Sequence, residues 1–99
     1  MNYEPPCTEA GSPLIPGQEP VLAPGVRGYA ILDKETIYIP LIVADKEGSG
    51  DVGRFLDSLS PRCVIPNLTS SRLKGMLLRR GWACSYDNDN VDIWQRKMK

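Results

Sequence analysis

The chain has no histidine. Histidine-based triads, histidine-containing zinc sites and imidazole general bases are therefore excluded, and any proton transfer falls to carboxylates, tyrosine, cysteine or water. Cysteine is scarce too: Cys7, Cys63 and Cys84 are odd in number, widely spaced, and form no C-x-x-C pair of the kind that holds zinc or does redox work. They read as reduced thiols, which fits a cytoplasmic setting, and no metal is expected. Net charge is absent as well. Twelve Lys and Arg balance twelve Asp and Glu, so no bulk positive field exists to hold nucleic acid or an anionic membrane. No segment approaches the roughly 18 to 20 apolar residues of a membrane span, and the N-terminus shows neither a basic flank nor a signal-like apolar run. The expectation is a soluble, intracellular chain.

What remains is ordinary globular material. Of 99 residues, 41% are hydrophobic and 24% charged, which argues against wholesale disorder, collagen or a coiled coil and leaves room for one small domain. Proline is unevenly placed: six of nine prolines fall in residues 1–25, a stretch with three glutamates and no Lys or Arg. Such a stretch cannot sustain a ladder of backbone hydrogen bonds, so it is expected as an extended arm. Its Leu14, Ile15, Val21 and Leu22 could lie along the domain or a partner, or the arm could be a mobile acidic leader. The domain itself is expected over residues 26–99.

From Val26 two β-branched and aromatic runs, Val26–Leu32 and Thr36–Ala44, flank the polar turn Asp33-Lys34-Glu35 and predict a hairpin. The second run is nearly all apolar, which suits a central strand, but Pro40 interrupts it and predicts a bulge. Glycine-rich Asp45–Asp51 then feeds an amphipathic helix carrying Val52, Phe55, Leu56 and Leu59, which Pro61 stops. Arg62–Pro66 reads as a short buried strand, parallel to the one before the helix. A second helix follows, capped by Thr69, Ser70 or Ser71, with Leu73, Met76 and Leu77 on one face, Arg79 and Arg80 in its last turn and Gly81 as terminator. Trp82–Tyr86 and Val91–Gln95 form a closing hairpin around Asp87–Asn90. The predicted fold is α/β (α+β), with a mixed β-sheet in the order β-β-α-β-α-β-β. Cys63, Cys84, Trp82 and Trp94 are expected in the core, and Cys7 exposed.

That order, with a glycine turn after a long central strand and the Arg80-Gly81-Trp82 step into the last hairpin, resembles the core of the GCN5-related N-acetyltransferase superfamily over residues 26–96, without the family's first strand and its following helices. The family's acyl-CoA motif is Gln or Arg, two residues, Gly, one residue, then Gly or Ala. Here that frame falls on Asp45, Gly48 and Gly50, so the glycines match and the leading residue does not. The resemblance implies that acetyl-CoA is the cosubstrate, with Gly48, Ser49, Gly50 and Asp51 cradling its pyrophosphate through backbone amides at a helix N-terminus. It implies that the neighbouring parallel strands splay, leaving a slot between residues 41–45 and 63–67 where the pantetheine arm bonds near Val43, with Asn67 at hand.

The resemblance also implies an amine acceptor, a small molecule or a protein lysine or N-terminus, attacking the thioester directly. Glu35, Tyr38 and less readily Asp45 are the candidate bases. The family's usual tyrosine acid falls at Leu77, which leaves water or Tyr86. Arg72, Lys74, Arg79 and Arg80 could meet phosphates or form a solvated face. A second reading keeps the fold without the chemistry, as an accessory or interaction protein of the kind phages and mobile elements encode. A truncated sheet edge would favour self-association. A nucleic-acid module would rest only on the second helix and the tail Arg96, Lys97 and Lys99.

Overall fold

The computed structural model describes residues 2–96; Lys97 and Lys99 of the basic tail lie outside them. Eight elements follow in order: β1 (Val21–Ala23), β2 (Val26–Asp33), β3 (Thr36–Ala44), α1 (Asp51–Ser58), β4 (Cys63–Pro66), α2 (Ser71–Arg79), β5 (Trp82–Tyr86) and β6 (Asp92–Arg96). The strands make one mixed sheet in the order β1-β2-β3-β4-β6-β5. β3 and β4 are parallel; every other neighbouring pair is antiparallel. Both helices serve one core: Phe55, Leu56 and Leu59 meet Ile37, Ile39, Cys63, Ile65, Leu77, Trp82 and Trp94. Arg80, at the end of α2, reaches back to Asp57 of α1 at 2.5 Å. Among the described residues, no helix is long and apolar enough to cross a membrane.

Local sequence explains most of this. Ser70 caps α2 by accepting a hydrogen bond from the Leu73 N–H at 3.2 Å. Gly50 opens α1 at φ 84°, a left-handed conformation that costs other residues about 1 to 2 kcal/mol. Pro40 makes the bulge it predicts: Tyr29 opposes Leu41 and Ile31 opposes Tyr38, so Ile39 and Pro40 together face the single residue Ala30.

The N-terminal segment differs from a free arm. Its residues 21–23 form β1, so the expected boundary at residue 25 falls inside the β1–β2 hairpin, and Leu22 is buried in the core. Tyr3 bridges to Leu59, its N–H bonding the Ser58 carbonyl and its hydroxyl the Leu22 carbonyl. Thr8 N–H bonds the Ala30 carbonyl at 2.6 Å, and the Tyr29 hydroxyl both accepts from and donates to the Ile15 backbone. Prolines that forbid a ladder still allow an extended segment tied down by side-chain hydroxyls.

Cys84 is a correction. Alternation on an apolar strand predicts a core thiol, but β6 inserts between β4 and β5, which makes β5 an edge and leaves Cys84 exposed. Cys63 is buried as its context predicts, and burial, followed by the nearby Glu4 charge, pushes its thiol up to about 11. It stays protonated and unreactive near neutral pH.

Candidate functional site

The Pro40 bulge decides where the sheet opens. The parallel register of β3 with β4 runs only through Ile37–Cys63 and Tyr38–Val64, while β2 continues to pair with β3 up to Ala44. Beyond the bulge, β3 is held from one side. Which backbone groups face the unpaired side follows from two bonds: Asp45 N–H donates to the Gly25 carbonyl, and Gly28 N–H turns away to Pro20 on the β1 side. Asp45 and Val43 therefore bond toward β2, and the N–H and C=O groups of Ile42 and Ala44 point away from it. Val43, the expected contact, is one residue out of phase.

Next to those groups lies a cavity of about 440 Å³. Its walls are the end of β3 (Ile42, Ala44), the turn and start of α1 (Lys46–Gly53), and α2 (Ser70, Arg72, Leu73, Met76, Arg79, Arg80). The far wall is α2, not β4, so the slot expected against residues 63–67 is a groove between the turn and a helix. Volume and mixed lining suit a small organic anion with an apolar tail.

The glycine turn occupies one wall with Gly48, Ser49, Gly50 and Asp51, as its motif implies. Its donors are distributed differently. Asp51 N–H is engaged by Ser49 Oγ at 3.3 Å, and the first bond of the helix is Arg54 N–H to the Gly50 carbonyl at 3.1 Å. Among the described residues no side chain caps α1, and none partners the Val52 and Gly53 amides at this positive helix end beside the groove. The Asp51 carboxylate accepts from the Ser49 hydroxyl at 2.9 Å and pairs with Arg54; the hydroxyl first, then the guanidinium, hold it below the usual aspartate range. The Asp45 carboxylate pairs with Arg27 at 2.5 Å outside the lining, so the carboxylates that line the groove are those of Glu47 and Asp51.

Four cations line the groove. Arg80 is tied to Asp57, and Arg72 stands 3.7 Å from Glu47; among the described residues Lys46 and Arg79 have no carboxylate partner. Arg72 and Arg79 are seven residues apart and share a helix face, while Lys74 is not in the lining. Gly53 was legible as a signal, because glycine inside a helix costs about 1 kcal/mol and marks a close approach. A Cβ there would sit 2.4 Å from Arg80 Nη2.

The candidate catalytic residues are not gathered here. Glu35 sits in the β2–β3 turn, exposed, its carbonyl accepting from Arg62 Nε at 2.8 Å. That is the opposite end of β3 from the glycine turn, about 30 Å away along ten residues of strand. Tyr38 lies in the paired half of β3 opposite Val64, and Tyr86 ends the edge strand, 69% exposed; neither lines the groove. Asn67, at φ 51°, follows β4 with its N–H on the Asp92 carbonyl and is likewise outside the lining. Leu77, at the position of the family tyrosine, is fully buried. Among the described residues no group of three or more Cys, Asp or Glu stands where it would hold a metal ion. Comparison with known proteins finds no matching family, no matching curated protein and no matching solved structure.

Proposed function

We propose that the chain is an acyl-CoA-binding protein with an acetyltransferase-like core, and that it transfers the acetyl group of acetyl-CoA to an amine. The observation that carries the reading is the opening of β3 from β4 beside the glycine turn, which sets the free backbone groups of Ile42 and Ala44 next to the orphan amides of Val52 and Gly53. An extended amide-bearing arm can add to the first as a strand does, and a pyrophosphate to the second, with Lys46 and Arg79 balancing its charge. Leu73 and Met76 supply the apolar wall.

In this mechanism the strand edge and the helix end hold the thioester at a fixed place, so that a free amine attacks its carbonyl carbon. The C–N bond forms as the C–S bond breaks, CoA leaves as the thiolate, and the amine's proton passes to water. No covalent intermediate on the protein is needed.

A second reading, ligand binding without transfer, draws on the position of the acid–base candidates: Glu35 at the far end of β3, Tyr86 on the outer edge, and Leu77 inside the core. One experiment addresses both. Melting followed against acetyl-CoA should rise with concentration, by about 2.7 kcal/mol of added stability at a hundredfold excess over Kd. Gly50→Asp should abolish the rise and Cys84→Ser should leave it. No rise at millimolar cofactor would sink binding. A rise with no acetylated product across an amine panel read by mass spectrometry would leave the second reading standing.

A further inference from the structure

Of the ion pairs among the described residues, only Arg72–Glu47 has both partners in the groove lining. It links opposite walls: Glu47 belongs to the turn that leads into α1, and Arg72 to the first turn of α2. Neither residue suits its own element. The first turn of α2 holds no acidic residue, and a guanidinium there opposes the positive end of the helix, whereas Arg79 in the last turn complements the negative end. Glu47, for its part, places a carboxylate beside the amides that would receive an anion.

The two charges answer each other at 3.7 Å, beyond hydrogen-bond range, with side chains 67% and 84% exposed. A pair so open contributes at most about 1 kcal/mol and gives way to a better partner. A phosphate offers Arg72 shorter, bidentate contact with more charge.

We propose that Glu47 is a built-in competitor for the groove's anion: it holds Arg72 across the mouth until a phosphate of the ligand takes the guanidinium. The inference rests on the acyl-CoA reading for the identity of that ligand. Glu47 then sets affinity and selectivity. Weakly charged molecules fail to displace it, and a ligand with several phosphate charges opens the mouth as it binds.

The test is a double-mutant cycle by calorimetry, titrating CoA and, separately, inorganic pyrophosphate into wild type, Glu47→Gln, Arg72→Gln and the double variant. Both side chains are exposed, so the variants fold. Glu47→Gln should tighten CoA binding about fivefold at low salt, and Arg72→Gln should weaken it. In the Arg72→Gln background, removing Glu47 should change affinity by less than about twofold. The fivefold gain should shrink as salt shortens the screening length below about 10 Å. Equal gains in both backgrounds would mean simple repulsion and overturn the competitor, while leaving the acyl-CoA reading intact. The same coupling with pyrophosphate but no binding of CoA would uphold the competitor and overturn the acyl-CoA reading. Failure of both ligands on all four proteins would overturn both.

Discussion

β3 is two strands in one. In its first half, Ile37 and Tyr38 are paired on both sides, to β2 and to β4, and Ile37 is buried at 2% exposure. Its second half, Leu41–Ala44, is paired to β2 alone and every residue in it is half-buried. Pro40 separates them, with no N–H to donate and a bulge that turns the strand. The difference teaches where the packed core ends and the groove begins. The closed half shares the core with both helices, while the open half and the glycine turn border the cavity.

If that division holds, the largest loss of stability should come from the closed half. Ile37→Ala removes a side chain buried in the core that both helices share and should cost about 2 to 5 kcal/mol in urea denaturation. Acetyl-CoA affinity of the folded fraction should be unchanged. A comparable loss of affinity would show that the two halves are not separable.

Gly28→Ala should come next and would strike across the division. Gly28 opposes Ile42, and a Cβ there would lie 2.0 Å from the Leu41 carbonyl oxygen and 3.0 Å from Leu22. Backbone on one side and a buried side chain on the other leave little room to yield, so a cost of about 1 to 3 kcal/mol is expected. Because β2 is, among the described residues, the only strand holding this part of β3, the displacement should reach Ile42 and Ala44 and weaken acetyl-CoA binding as well. Lost stability with unaltered binding would mean that the strand edge contributes nothing to the site.

The sequence displayed what is local and concealed what depends on distant pairing. The Pro40 bulge, both helices, the Ser70 cap and the glycine turn each follow from residues a few positions apart. Three residues between Pro20 and Pro24 are too few to announce β1, which exists because β2 is there to pair with. Ile42 and Ala44 could not be told from Val43, since which of them faces outward is fixed by the register against β2. Cys84 could not be recognised as exposed, nor Glu35 as remote, before the strand order placed β5 at an edge and the β2–β3 turn at the far end. The groove needed α2 to fold back over the turn, and the interior glycine at 53, where Arg80 crosses, was the one local sign of it.

The smallest expected effect separates a core contact from a turn contact by acid. Asp92, at the start of β6 and level with the segment that follows β4, has its carboxyl held below the usual aspartate range first by the Trp94 indole N–H, which donates to it at 2.9 Å, and also by the Leu68 N–H. Asp51, at the open end, is held down first by the Ser49 hydroxyl. A carboxyl whose folded pKa is depressed adds stability that is complete above its ordinary value near 3.9 and is lost as pH falls below it toward the folded value. Melting temperatures between pH 5 and 2 should therefore fall more steeply for wild type than for Asp92→Asn or Asp51→Asn. The contacts differ in what they join. Asp92 ties the indole of the core residue Trp94 to the segment after β4, so its protonation loosens the seat of Trp94 and should lower the melting temperature, while acetyl-CoA binding above pH 5 stays unchanged. Asp51 ties only the turn and the first turn of α1, so Asp51→Asn should lower melting at pH 7 only slightly, and it should tighten acetyl-CoA binding by removing a negative charge from the lining. If Asp51→Asn weakened binding instead, the carboxylate would be holding the turn in its binding shape, and the free amides of Val52 and Gly53 would not be sufficient to receive the pyrophosphate.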